Sequence, residues 1–334
     1  MIAPLSAALF YTYISASSAS SGNPIGQYNV SDITVSGISS GGYMAQQVHI
    51  SLSDVVVGAG VFAGGPYFCA EANAVTATKS CMEYNLGGPN VENSIVYTNL
   101  QSTYKTIADI KNLENDKVYL YSGTEDTEVD PRVMKDLQTY YEEFMPKDSI
   151  VTNFDTLSEH TYPTLDFGNE CTVAKQPYIS KCGVDGAGET FKTVYGDEAK
   201  RGTAIADNLV TFDQTPFTRS LSQISLGDTG YIYVPTACKD GSLECHAHIA
   251  FHGCSMTLDD IGTDFVEHAG YNEWAEGSNI IVVYPSTVKS VSLPANPYGC
   301  WDWWAYSGLN YALKTGPQIE FVKSIITEIS SGVL

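Results

Sequence analysis

The chain has 334 residues, with 38 Asp plus Glu against 17 Lys plus Arg, a formal net charge of −21. That acidity argues against a nucleic-acid backbone or an anionic membrane surface as the main partner. With 43% hydrophobic and only 16% charged residues, intrinsic disorder is excluded as well, and the length suits one large domain or two ordinary ones.

Residues 1–20 read as a secretory signal peptide. Ile2 to Ile14 is mostly apolar, the small residues Ser15 to Ser21 follow, and a cut near Ala19 fits. No other stretch reaches the ~18 uninterrupted apolar residues of a membrane span. There is no internal repeat, low-complexity linker or composition break, so a secreted, extracellular single domain over 21–334 is expected. Asn29-Val30-Ser31 is a glycosylation sequon at Asn29.

The first strand candidate, Ile33–Val35, runs into Gly37-Ile38-Ser39-Ser40-Gly41-Gly42, with a helical stretch beyond it around Met44, Val48 and Ser51. This is G-x-S-x-G in a strand–turn–helix setting, which makes Ser39 the candidate nucleophile. Small neighbours let strand and helix approach closely enough to expose the serine oxygen. The N–H of Ser40 then points at a developing oxyanion, aided by the helix N-terminus. Ser40 itself lacks the leading glycine.

The next strand, Val55–Val61, contains Gly58-Ala59-Gly60-Val61-Phe62-Ala63, a dinucleotide-type pattern. Gly64-Gly65-Pro66 forbids the helix such a site needs, so no nucleotide cofactor is expected. Strand Val118–Tyr121 is followed by four competing acids, Glu125, Asp126, Glu128 and Asp130. Asp130 precedes Pro131 as the cap of a helix carrying Val133, Leu137, Tyr140 and Phe144 on one face. Asp126, in the loop beyond a strand's carboxyl end, is the chosen acid, with Glu125 second.

After strand Ile150–Phe154 comes Glu159-His160-Thr161-Tyr162-Pro163, and His160 completes the order Ser, Asp, His as the base. The other histidines have plainer places: His49 on the helix behind Ser39, His246 and His248 in a strand, His268 at a helix end. No metal site is expected, since two strand histidines without further ligands make a poor one.

Strands Tyr231–Val234, His248–Phe251 and Ile280–Tyr284 follow, and a helix over 317–330 begins after Gly316-Pro317. Apolar strands alternating with amphipathic helices give an α/β fold with a mostly parallel central sheet flanked by helices. Phe251-His252-Gly253-Cys254 resembles the segment that donates the second oxyanion N–H in α/β-hydrolases, here from Cys254, but that segment normally precedes the nucleophile. A circular permutation accounts for this: residues from about 228 to 330 supply the first half of the fold and 30 to 165 the second. The helix at 317–330 should then pack just before the strand at Ile33.

The eight cysteines, at 69, 81, 171, 182, 238, 245, 254 and 300, fit an oxidising compartment. About 105 connectivities are open. Loop locality prefers Cys69–Cys81, Cys171–Cys182, Cys238–Cys245 and Cys254–Cys300, and zinc is disfavoured because no C-x-x-C pair occurs. If Cys254 pairs with Cys300, the Trp301-Asp302-Trp303-Trp304 turn is clamped beside the oxyanion strand. Trp303 would then wall the cleft, with Tyr298 and Tyr67 as weaker candidates for the same wall.

At this point the chain resembles the fungal-type single-domain extracellular polyhydroxybutyrate depolymerases, circularly permuted α/β-hydrolases within the wider poly(3-hydroxyalkanoate) depolymerase and feruloyl-esterase group. The resemblance runs from about residue 28 to the C-terminus. It rests on the segment from Ser36 to Ala45, Gly60-Val61-Phe62-Ala63-Gly64-Gly65-Pro66-Tyr67, His252-Gly253-Cys254 and Gly299-Cys300-Trp301-Asp302-Trp303. It implies a Ser39/Asp126/His160 triad, an oxyanion hole from the N–H groups of Ser40 and Cys254, all four neighbouring disulfides and a substrate contact from Trp303. The expected activity is a serine esterase working as a monomer on an insoluble polyester, without cofactor, nucleic acid or membrane. A feruloyl or acetyl esterase of plant cell walls and a non-catalytic binding protein with a relic triad are the alternatives.

Overall fold

In chain order, the computed structural model describes residues 23–330, so the expected signal peptide lies outside the described residues. The elements are β1 (Val30–Ile38), α1 (Ser40–Ser51), β2 (Val56–Phe62), α2 (Ala74–Lys79), α3 (Val91–Thr103), β3 (Lys117–Tyr121), α4 (Pro131–Glu142) and β4 (Ile150–Asn153). Then come β5 (Tyr162–Thr164), β6 (Asn169–Glu170), β7 (Ile179–Lys181), α5 (Gly186–Tyr195), β8 (Leu209–Asp213) and β9 (Thr229–Tyr233). The remainder is β10 (Cys245–Phe251), α6 (Leu258–Ile261), α7 (Asp264–His268), α8 (Tyr271–Ser278), β11 (Ile280–Tyr284) and α9 (Pro317–Ile329).

The eight-stranded sheet has the order β4-β3-β2-β1-β10-β11-β9-β8. From β4 to β11 all neighbours are parallel, whereas β9 runs against both β11 and β8. The inner strands are buried on both faces, which is why their sequences are almost continuously apolar. All seven strands expected from the sequence are present; five lie within two residues of their expected ends, while β1 extends three residues further at each end and β10 starts three residues earlier.

The permutation is visible in that order. The N-terminal half of the chain lies on one side of the β1–β10 seam and the C-terminal half on the other, with Val35 beside Ile249 and Gly37 beside Phe251. The C-terminal half starts earlier than the expected residue 228, because β8 adds an edge strand from Leu209. Its mostly half-exposed side chains carry no continuous apolar signal. At the other end of the chain, α9 meets the approach to β1. The Tyr28 N–H donates to the Ile329 carbonyl at 2.8 Å, and the Gln27 amide donates to Glu328 at 3.2 Å.

Helices cover both faces. On one, Met44, Val48, Leu137, Ile319, Val322 and Ile326 pack with Val35, Leu120 and Ile249. On the other, Phe191, Tyr271 and Trp274 pack with Phe62, Tyr119 and Val282. Helix α1 is buried along its whole length, sandwiched between sheet and outer helices. A second, three-stranded sheet in the order β5-β7-β6 follows the His160 loop.

All four neighbouring disulfides are formed. Asp130 caps α4 by accepting the Arg132 N–H at 3.0 Å, as its place before Pro131 predicts. Asp130→Ala should lower the unfolding free energy by about 1 kcal/mol, the usual worth of such a cap, as read by urea denaturation.

Candidate active site

Strand β1 delivers Ser39 to a turn that only a crowded backbone can hold. Ser39 has φ 57° and ψ −123°, a left-handed conformation that costs a non-glycine residue energy. Its N–H donates to the Phe62 carbonyl at 2.9 Å, and its carbonyl accepts the Tyr43 N–H at 3.0 Å. The flanking glycines are sterically required. A Cβ on Gly37 would collide with the Gly41 carbonyl, and one on Gly41 with the Phe251 and His252 carbonyls. The backbone thus closes on Ser39 from both halves of the permuted chain.

Ser40 opens α1, so its N–H is one of those a helix leaves without an internal acceptor. The segment after β10 lies directly against the turn: a Cβ on Gly253 would sit 3.3 Å from the Ser39 Cβ. His252 shapes this segment. Its Nδ1–H donates to the Gly253 carbonyl at 2.7 Å, while Nε2 accepts the Thr287 N–H at 3.2 Å. Burial pushes its pKa down to about 4, so the ring is neutral at neutral pH, as that bonding requires. Fixing the Gly253 carbonyl also fixes the Cys254 N–H, which shares its peptide plane and points the opposite way.

Past β3, Asp126 is buried and its Oδ2 lies 2.9 Å from His160 Nδ1. Its other oxygen, Oδ1, accepts the N–H groups of Glu128 at 3.0 Å and Val129 at 2.8 Å. The four competing acids are thereby sorted: Asp130 caps α4, Glu125 and Glu128 are exposed, and Asp126 holds the histidine. With Nδ1–H committed to Asp126, Nε2 is the free acceptor of the ring. Burial pushes the His160 pKa down. The charge and hydrogen bond of Asp126, helped by Glu128 and Glu159, outweigh it and leave the pKa raised.

Ser39, Ser40, Tyr43, His160, Gly253, Cys254 and Trp303 all line one cleft of about 660 Å³. Its wall is mostly apolar. Trp303 stacks on Tyr43 with ring centroids 4.0 Å apart and planes 9° from parallel. The Tyr43 hydroxyl donates to the Cys81 carbonyl, which ties the stack to the Cys69–Cys81 staple. The buried Asp302 carboxylate accepts the N–H groups of Trp304, Ala305, Tyr306 and Ser307 and so folds the tryptophan turn. The Cys254–Cys300 bond and the Trp301 N–H, donated to Ser40 Oγ at 3.2 Å, fasten that turn to the segment after β10 and to the start of α1.

Tyr298 also lines the cleft, at its exposed rim. Tyr67 does not. It is fully buried, with its hydroxyl donating to the Ala312 carbonyl at 2.5 Å, so it belongs to the core. Tyr43 takes the place in the wall that Tyr67 was expected to share. The sequence held a signal for it, because Tyr43 follows Ser39 by one helical turn. His246 and His248 lie in β10, bonded to Ser31 and to Thr34 and Ser36. Asn29 is exposed, as a glycan acceptor requires.

The His160 environment has a measurable consequence. Its imidazolium is stabilised by Asp126, so the proton is held to higher pH than in a free side chain, and the ring is neutral only above that midpoint. An NMR titration should place the midpoint above the usual ~6.5, and Asp126→Asn should lower it.

No protein-family model matches the chain. It is 40% identical over 303 residues to the poly(3-hydroxybutyrate) depolymerase of Delftia acidovorans, covering 90% of this chain and 60% of that protein. It is 37% identical over 324 residues to the polyhydroxybutyrate depolymerase of Talaromyces funiculosus, covering 92% of each. The chain thus spans less than two thirds of the Delftia relative and nearly all of the Talaromyces one. The crystal structure of PHB depolymerase from Penicillium funiculosum superposes with a TM-score of 0.85 at 34% identity, over 93% of this chain and all of that one. A PHB depolymerase variant complexed with an R3HB trimer matches equally well. This chain, a circularly permuted α/β-hydrolase by its sheet, belongs to the polyhydroxybutyrate depolymerase family.

Proposed function

We propose that this protein is a secreted serine esterase that hydrolyses the ester bonds of poly(3-hydroxybutyrate) and related polyhydroxyalkanoates. The observation that carries the reading is the meeting, in one apolar cleft, of the strained Ser39 turn and the buried Asp126–His160 pair. Family membership supplies the substrate class, since one solved relative holds an R3HB trimer.

In this reading His160 Nε2 takes the Ser39 hydroxyl proton as Oγ attacks the ester carbonyl. Asp126 keeps the proton on Nδ1 and stabilises the imidazolium. The N–H groups of Ser40 and Cys254 hold the charge that develops on the carbonyl oxygen. His160 then protonates the departing hydroxyl end, leaving an acyl-enzyme on Ser39, and a water activated by the same ring releases the acid.

The rim favours a solid substrate over a small soluble ester. Val291, Leu293 and Tyr298 are largely exposed on the segment that includes the cleft residues Ala295 and Pro297. An apolar rim of this kind can lie against a polymer surface without a separate binding module. The four disulfides and the apolar leader over residues 1–20 support export, with residues 21–334 forming one catalytic domain. The same reading has the protein act as a monomer.

The purified protein should clear a turbid suspension of amorphous polyhydroxybutyrate granules, and Ser39→Ala should abolish clearing by at least about 10³-fold. Hydrolysis of a soluble butyrate ester without granule clearing would shift the substrate to small or cell-wall esters. Clearing by the variant would remove Ser39 from the chemistry.

A further inference from the structure

His160 and Asp126 are carried by two loops that leave adjacent strands, β4 at the sheet edge and β3 beside it. Upstream, main-chain bonds join these loops: Thr124 N–H donates to the Thr156 carbonyl at 2.9 Å and Glu125 N–H to the Ser158 carbonyl at 3.0 Å. Beyond Ser158 the linkage passes to a side chain. Glu159 Oε2 accepts the Thr127 N–H at 3.1 Å and the His160 N–H at 3.0 Å. The Thr127 hydroxyl donates to both carboxylate oxygens, at 3.0 and 3.1 Å. Thr127 directly follows Asp126, and His160 directly follows Glu159. The Glu159 main chain is itself anchored, its N–H donating to the Cys171 carbonyl at 2.9 Å beside the Cys171–Cys182 bond.

We propose that Glu159 is a positioning residue, a carboxylate clamp that holds the acid loop against the base loop and so sets the Asp126–His160 geometry. A single oxygen bonded to the backbone of both neighbours leaves the two loops little freedom to slide past each other. Charge-assisted bonds are the stronger kind, which suits a carboxylate in this place. The proposal rests on the Ser39/Asp126/His160 reading above.

The clamp also has an electrostatic side. The charged groups that act on His160 are Asp126, Glu128 and Glu159, all acidic. The phenols of Tyr43 and Tyr178 share the cleft, with pKa values that burial pushes up, so they stay neutral. Glu159 therefore helps the imidazole keep its proton, apart from its part in geometry.

Glutamine separates the two effects. In Glu159→Gln the amide oxygen can accept both backbone N–H groups while the amide nitrogen faces the Thr127 hydroxyl, so the clamp survives and the charge goes. Glu159→Asp keeps the charge but is one methylene too short to bridge both loops, and Glu159→Ala removes clamp and charge together. Kinetics on a soluble butyrate ester across pH, with thermal melts as a fold control, should show the following. Glu159→Ala and Glu159→Asp lose about tenfold or more in kcat with KM little changed, the pattern of a misplaced catalytic group. Glu159→Gln keeps kcat within about twofold at the pH plateau, and its acid limb moves down by about 0.3 pH, as suits a partly exposed charge. Glu125→Ala, which removes an exposed acid from the same loop, leaves both unchanged.

Full kcat in Glu159→Asp and Glu159→Ala would overturn the clamp. So would a loss in Glu159→Gln equal to that in Glu159→Ala. Ser39→Ala, run alongside, keeps the readings apart: an active Ser39→Ala sinks the triad itself, whereas an inactive one beside unimpaired Glu159 variants sinks only the clamp.

Discussion

Two carbonyls of the strand end at Phe251 and His252 press against Gly41, and the Gly41 carbonyl presses against Gly37. No side chain fits at either glycine, so the turn at Ser39 is held by main chain alone. Ser39 keeps its positive φ because β1 is fixed on one side by β2 and on the other by β10. The same contact places Gly253 against the Ser39 Cβ. The candidate site is thus a property of the β1–β10 seam.

That seam joins residues more than two hundred positions apart in the chain, and the permutation explains why the distance matters so little. In the sheet, β1 and β10 are ordinary parallel neighbours. Among the described residues, the approach to β1 meets the end of α9, where the Tyr28 N–H donates to the Ile329 carbonyl. The disulfides sit where loops rather than strands carry the function. Cys254–Cys300 fastens the segment after β10 to the tryptophan turn, Cys69–Cys81 supports Tyr43 beneath Trp303, and Cys171–Cys182 stands behind the His160 loop. Loops have the least packing to hold them, and a covalent tie offsets that where geometry matters most.

The inner strands and the nucleophile turn were legible because burial on both faces writes a continuous apolar run, and because a sharp strand–helix turn demands glycine. Asp126 and His160, which the fold brings to 2.9 Å of each other, were legible from their places beyond strand ends and their order in the chain. What escaped was set by packing across the sequence. Strand β8 is an edge strand with only Phe212 fully buried, and β5 to β7 are three residues or fewer each. Tyr67 lies two residues past Gly65, yet nothing local states that its ring turns inward to Ala312. Glu159 reads as one more acid in an acidic chain until the fold sets Thr127 beside it.

The account's central claim is that the strained turn presents Ser39, and not the adjoining Ser40, to substrate. The direct measurement is covalent: react the folded protein with a serine-directed phosphonate, digest it, and locate the adduct by tandem mass spectrometry. A single adduct on Ser39, absent when the protein is unfolded beforehand, is the predicted result. An adduct on Ser40, or none on a folded protein that still cleaves esters, would contradict the account.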